Sequence, residues 1–104
     1  ALKGVKHALM TDRSFRFQTL FIGPLVLIVA YVFWPLSEIE ILFLGLGWIL
    51  GVITEIQNTS MEAALDHLHP GIHEEIGHSK DMASGSVLLS GVFLMFVIIV
   101  IALT

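Results

Sequence analysis

The charges of this 104-residue chain leave three long gaps. No Asp, Glu, Lys or Arg occurs in residues 17–37, 41–54 or 82–104, runs of 21, 14 and 23 residues. A helix rises about 1.5 Å per residue and the hydrocarbon core of a bilayer is about 30 Å thick, so about 20 apolar residues cross it. The first and last runs meet that length. Only 13% of the residues are charged, against about 25% in an ordinary soluble domain. So few charges cannot cover a water-facing surface, and a soluble single-domain enzyme is excluded. The pattern predicts an all-α membrane protein, a single integral membrane domain over residues 1–104. Three transmembrane helices are expected at 17–36, 39–66 and 80–104, preceded by an N-terminal amphipathic surface helix at 1–16.

The surface helix is read from Leu2, Val5 and Leu9, which follow helical spacing beside Lys3 and Lys6. Pro24 lies early in the first span, where it starts or kinks the helix. Lys3, Lys6, Arg13 and Arg16 precede that span, and Lys80 lies in the connection before the third. The turn at 37–40 has no basic residue. With three spans both basic regions share a side, which should be cytoplasmic, leaving the C-terminus outside. There is no cysteine, which excludes a disulfide framework, and the net charge of −4 gives no reason to expect nucleic-acid binding.

The middle run is the informative one. Fourteen residues make about 21 Å of helix, too short to cross. The second span must therefore continue through Glu55, which places a carboxylate within the membrane near one surface. An acid there is costly unless it has a purpose. Glu55, Asn58, Glu62 and Asp66 follow at i, i+3, i+7 and i+11, within about 80° of one another on the helix wheel. They form one polar face rising out of the membrane. A carboxylate at that depth suits a general base acting on a hydroxyl, or an anchor between helices. Gly47 and Gly51 form a GxxxG on the same helix, consistent with close packing.

Lys80-Asp81, at the foot of the third span, is expected at the level of Glu62 and Asp66. Lys80 either neutralises these acids or binds a phosphate as a compact point charge. Acidic residues beside a lone Lys are what a magnesium-bound triphosphate requires. The histidines give no metal motif: His73-Glu74-Glu75-Ile76-Gly77-His78 is one residue too long for HExxH, and its imidazoles fall about 140° apart on a helix. There is no phosphate-binding loop of the GxxxxGK[ST] type and no dinucleotide fingerprint. The residues alone leave three classes open. These are a kinase acting on a membrane lipid, a small proton-coupled transporter or channel subunit with Glu55 as its relay, and a non-catalytic assembly subunit.

The ladder Glu55-x-x-Asn58-x-x-x-Glu62-x-x-x-Asp66, followed by Lys80-Asp81-Met-Ala and small residues, resembles the signature of the prokaryotic diacylglycerol kinases, a pattern that the undecaprenol kinases share. Lys3-Gly4 and Asp12-x-x-Phe15-Arg16 are similar to the family's N-terminal portion, so the resemblance covers essentially the whole chain. It implies a homotrimer in the bacterial inner membrane, with active sites shared between subunits. It implies transfer of the γ-phosphate of Mg-ATP to a lipid hydroxyl at the cytoplasmic face, diacylglycerol giving phosphatidic acid, or alternatively undecaprenol. By motif position Glu55 is the general base, and Glu62 and Asp12 are the magnesium ligands. Asp12 stands where the family commonly has Glu. Asn58, Asp66, Lys80 and Asp81 line the nucleotide and phosphate site, and His73-Glu74 match a region close to it. Gly71 and Gln18 stand where some members carry further acids.

Overall fold

The computed structural model describes residues 1–71 and 73–104. It consists of α1 (Leu2–Thr11), α2 (Arg13–Phe17), a π-helical turn (Gln18–Ile22), α3 (Gly23–Val32), α4 (Glu38–Leu68) and α5 (Glu74–Leu103). α2, the π turn and α3 run on as one rod. Three helices are thus long and apolar enough to span a bilayer: Arg13–Val32, Glu38–Leu68 and Glu74–Leu103. The all-α, three-span architecture with a short N-terminal helix is as the charge gaps predict.

The boundaries shift, each for a local reason. The surface helix stops at Thr11 rather than at 16, because Asp12 leaves helical space (φ −105°, ψ 111°) and caps the next helix by accepting from Ser14 N at 3.0 Å. The first span therefore starts at Arg13, and it ends at Val32, short of Pro35, which restricts the residue before it. The third span starts at Glu74 instead of 80. His73 caps it, Nδ1 accepting from Ile76 N at 3.4 Å, and the acids Glu74 and Glu75 in its first turn complement the helix dipole. Lys80 therefore sits well inside a helix rather than at its foot.

Pro24 acts one turn ahead of itself. It has no N–H to donate and its ring crowds the carbonyl of Leu20, which the helix accommodates by widening into the π turn over Gln18–Ile22. The Trp48 indole then donates to the Gln18 carbonyl at 3.0 Å, tying α4 to this turn. Gly23 lets the indole lie close, since a Cβ there would come within 3.2 Å of it.

α4 and α5 pack antiparallel as the central pair. Val26, Leu44, Val97 and Ile101 are buried together, with Ile22, Leu36, Phe93 and Ile98 packed around them. Gly47 is what brings the pair close: a Cβ would meet Leu94 Cδ1 at 2.9 Å and Leu94 Cα at 3.2 Å. Gly51, the other half of the GxxxG, faces Gln18 Oε1 instead, at 3.0 Å from such a Cβ. The motif is thus divided between two neighbours within one chain. Ser90 of α5 is buried and shares a hydrogen bond with Thr54 across the pair at 3.1 Å.

Candidate active site

The polar ladder of α4 emerges in order of depth. Glu55 is only 7% exposed, Asn58 and Glu62 are half-buried, and Asp66 is exposed. The 31 residues of α4 extend about 46 Å, so roughly a third of its length must project beyond a bilayer core, a length that matches the polar end from Asn58 onward and leaves Glu55 within the span.

Asp12 reaches the ladder from the surface segment. Its Oδ1 caps α2, and its Oδ2 accepts a hydrogen bond from the Thr59 hydroxyl on α4. Thr59 lies one turn beyond Glu55 and one turn before Glu62 on α4, so this bond brings the Asp12 carboxylate to the face of α4 between the two acids. A carboxylate has about four lone-pair sites, so Asp12 keeps capacity for a cation after accepting two hydrogen bonds. Among the described residues no group of three or more His, Asp or Glu is arranged to hold a metal by itself. Magnesium commonly takes only one or two carboxylates and completes its shell with water and substrate phosphates, so a two-acid set fits a metal–nucleotide complex better than an all-protein cage.

The remaining residues form two further groups. Lys80 Nζ donates to Asp66 Oδ1 at 2.6 Å, joining α5 to the projecting end of α4. These two line a cleft of about 270 Å³ with His73, Gly71 and His69, and the His69 and His73 rings meet edge to face at 4.9 Å. Asn58 opens on the other flank, into a groove of about 790 Å³ between α4 and α5 bordered by Ser86 and Ala83. Its Oδ1 is buried and has no hydrogen-bond partner among the described residues. Glu74 and Asp81 are exposed on α5 and line neither cavity.

Sequence reading missed Thr59 as the partner of Asp12. The signal was present, since Thr59 follows Glu55 by four residues and lies about 40° from it on the wheel. It also passed over Ser37-x-x-Glu40, the serine and acid of a capping box in which each side chain accepts from the other's backbone N–H, at 3.1 and 2.9 Å.

Comparison with known proteins covers the same ground. The family model for prokaryotic diacylglycerol kinase matches residues 1–102. A diacylglycerol kinase of Synechocystis sp. is 36% identical over 93 residues, covering 88% of this chain and 52% of that protein. The diacylglycerol kinase of Escherichia coli strain K12 is 30% identical over 88 residues, covering 85% and 70% respectively. The chain thus spans about half the length of the first relative and about two thirds of the second. Glu55, Asn58, Glu62, Asp66 and Lys80-Asp81 all fall inside the matched region. The chain belongs to the prokaryotic diacylglycerol kinase family, a family of lipid kinases.

Proposed function

We propose that the protein is an inner-membrane kinase that transfers the γ-phosphate of ATP to the hydroxyl of a membrane lipid, most directly diacylglycerol, giving phosphatidic acid. The observation that carries this is Glu55, a carboxylate kept from water on a membrane span, below a ladder of polar groups that ends at Lys80. A lipid hydroxyl can approach Glu55 while its alkyl chains stay in the bilayer. Glu55 takes the hydroxyl proton as the oxygen attacks the γ-phosphorus, and the bond to the β-phosphate oxygen breaks to release ADP. Both lipid and nucleotide are held, so the reaction requires positioning and charge neutralisation rather than a covalent intermediate.

Lys80 supplies positive charge to the phosphates once it exchanges Asp66 for them. Asn58, Asp66, His73, Glu74 and Asp81 contribute polar contacts to the nucleotide. The unpartnered Asn58 Oδ1 supports that role, because a buried acceptor without a donor calls for one from outside the chain. Asp12 and Glu62 would hold magnesium, which supplies charge against the phosphate oxygens when bound. Assembly as a homotrimer with shared sites, and a cytoplasmic N-terminus, belong to the same reading. Family membership weighs against the proton-coupled transporter and against a non-catalytic subunit.

The test is transfer of labelled phosphate by the purified protein in lipid vesicles, with Mg-ATP and with diacylglycerol or undecaprenol supplied separately. Labelled phosphatidic acid is the expected product. Labelling of undecaprenol alone reassigns the acceptor, and proton flux without labelling of either lipid overturns the kinase reading.

A further inference from the structure

We propose that Thr59 is a positioning residue, whose hydroxyl latches the Asp12 carboxylate onto α4 so that Asp12 and Glu62 face one cation site. The inference rests on the reading of Asp12 and Glu62 as magnesium ligands.

The surface segment is loosely held. α1 buries only Ala8, and a groove of about 510 Å³ runs between α1 and α4, bordered by Gly4, His7 and Thr11 on one side and Thr59 and Ala63 on the other. Apolar packing therefore does not fix how α1 and the residue that ends it are turned towards α4. Phe15, 2% exposed, anchors α2 one turn later, and the Ser14 N bond fixes the Asp12 carboxylate relative to α2 alone.

The hydrogen bonds of Asp12 differ in consequence. The bond from Ser14 N is local and moves with α2. Among the described residues, the bond from Thr59 is the one side-chain hydrogen bond that joins residues 1–17 to α4. Thr59 stands one turn from Glu55 and one turn from Glu62 on the same helix, so the bond holds Asp12 on an acidic face, against like charge. The Arg16 guanidinium does not relieve this: its Nη1 donates to the carbonyls of Leu9 and Met10 at the end of α1, at 3.3 and 2.9 Å. A neutral hydroxyl donor holds a carboxylate beside two others without adding a cation that would compete with the metal. Hydrogen bonds to an ionised acceptor are about twice as strong as neutral ones.

The experiment compares Thr59→Val, which keeps the shape and removes the hydroxyl, with Thr59→Ser, which keeps the hydroxyl. Asp12→Asn and Glu62→Gln serve as references, all in the full chain in vesicles. Thr59→Val should raise the magnesium concentration for half-maximal turnover by about tenfold, with turnover at saturating magnesium within about threefold of the parent. Thr59→Ser should restore the parent value. A second readout needs no turnover: binding of Mn²⁺ with a non-hydrolysable ATP analogue, followed by electron paramagnetic resonance, should weaken in Thr59→Val and recover in Thr59→Ser. If Thr59→Val fails to assemble, Thr59→Ala carries the same comparison. Parent-like metal binding in Thr59→Val, with Asp12→Asn and Glu62→Gln both impaired, overturns the latch and leaves the metal reading standing. Parent-like metal binding in Asp12→Asn and Glu62→Gln overturns the metal reading, and the latch with it.

Discussion

At the Ser37 end of α4, a capping box closes the first turn and Thr104 at the end of α5 donates to Glu40 at 3.4 Å. From there to Thr54 the helix is held by apolar side chains and by Gly47 pressed on Leu94. At the Glu62 end the helix carries acids, an Asn58 Oδ1 without a partner among the described residues and an exposed ion pair, and open grooves flank it on both sides. One helix thus joins a capped, apolar region seamed to α5 to a region that carries a buried acceptor without a partner and open polar grooves. On the proposed function, a site that admits nucleotide and lipid cannot fill its own contacts. The difference predicts that substitutions near Ser37 and Gly47 alter stability, while those from Glu55 onward alter chemistry.

The sharpest test is Glu55→Gln, which keeps size and removes the carboxylate proposed as the base. Phosphoryl transfer should fall by about 10²- to 10⁴-fold, while the thermal midpoint and the oligomer size remain those of the parent. Retained turnover removes Glu55 as the base. A large loss of assembly instead would mean that Glu55 is a structural anchor and that the division of α4 is drawn in the wrong place.

Gly47→Val should do the reverse. A Cβ there meets the Leu94 Cδ1 at 2.9 Å and, beside it, the Leu94 Cα at 3.2 Å, so the side chain must turn and the backbone must also give, and overpacking of this kind costs about 1–3 kcal/mol. Thermal unfolding should register the loss. Turnover of the molecules that remain folded should stay close to the parent value. An unchanged midpoint would show that the α4–α5 seam is looser than its spacing implies.

How much of this could be read in the sequence follows the same division. Spans are visible because the absence of charge over about 20 residues is a cumulative signal, and Glu55 is visible because the middle run is too short to cross. The helix limits at Asp12 and His73 were misplaced because each depends on one side chain accepting from a backbone N–H, a local contact that hydrophobic periodicity does not register. The Asp12–Thr59 contact links residues 47 positions apart. Its partners are set by the path of the surface segment, which no periodicity encodes. The π turn was half legible, since Pro24 announced a disturbance but not that the helix would widen rather than kink.

Ser37→Ala removes one member of the capping box, and an N-cap of this type contributes about 1 kcal/mol. The midpoint should drop by less than for Gly47→Val, with no change in magnesium dependence or lipid turnover. A kinetic effect at this distance from Glu55 would mean that the two ends of α4 are coupled and that the contrast between them is one of appearance only.

The smallest effect on stability is expected from Asp66→Asn, and that smallness is the test. The Lys80–Asp66 bond is short at 2.6 Å, but the two side chains are 34% and 63% exposed, so water and salt screen their attraction. Short contact alone does not make an exposed pair a fastener. The midpoint should stay within the scatter of replicate melts, and added salt should not separate variant from parent. If the nucleotide phosphates take Lys80 in place of Asp66, the variant should instead change the ATP concentration for half-maximal turnover, and Lys80→Met should raise that concentration further. A loss of stability matching that of Gly47→Val would mean that the ion pair fastens α5 to α4 as firmly as the glycine seam does. The Glu62 end would then be a closed structural region, and the open nucleotide site would have to be sought elsewhere.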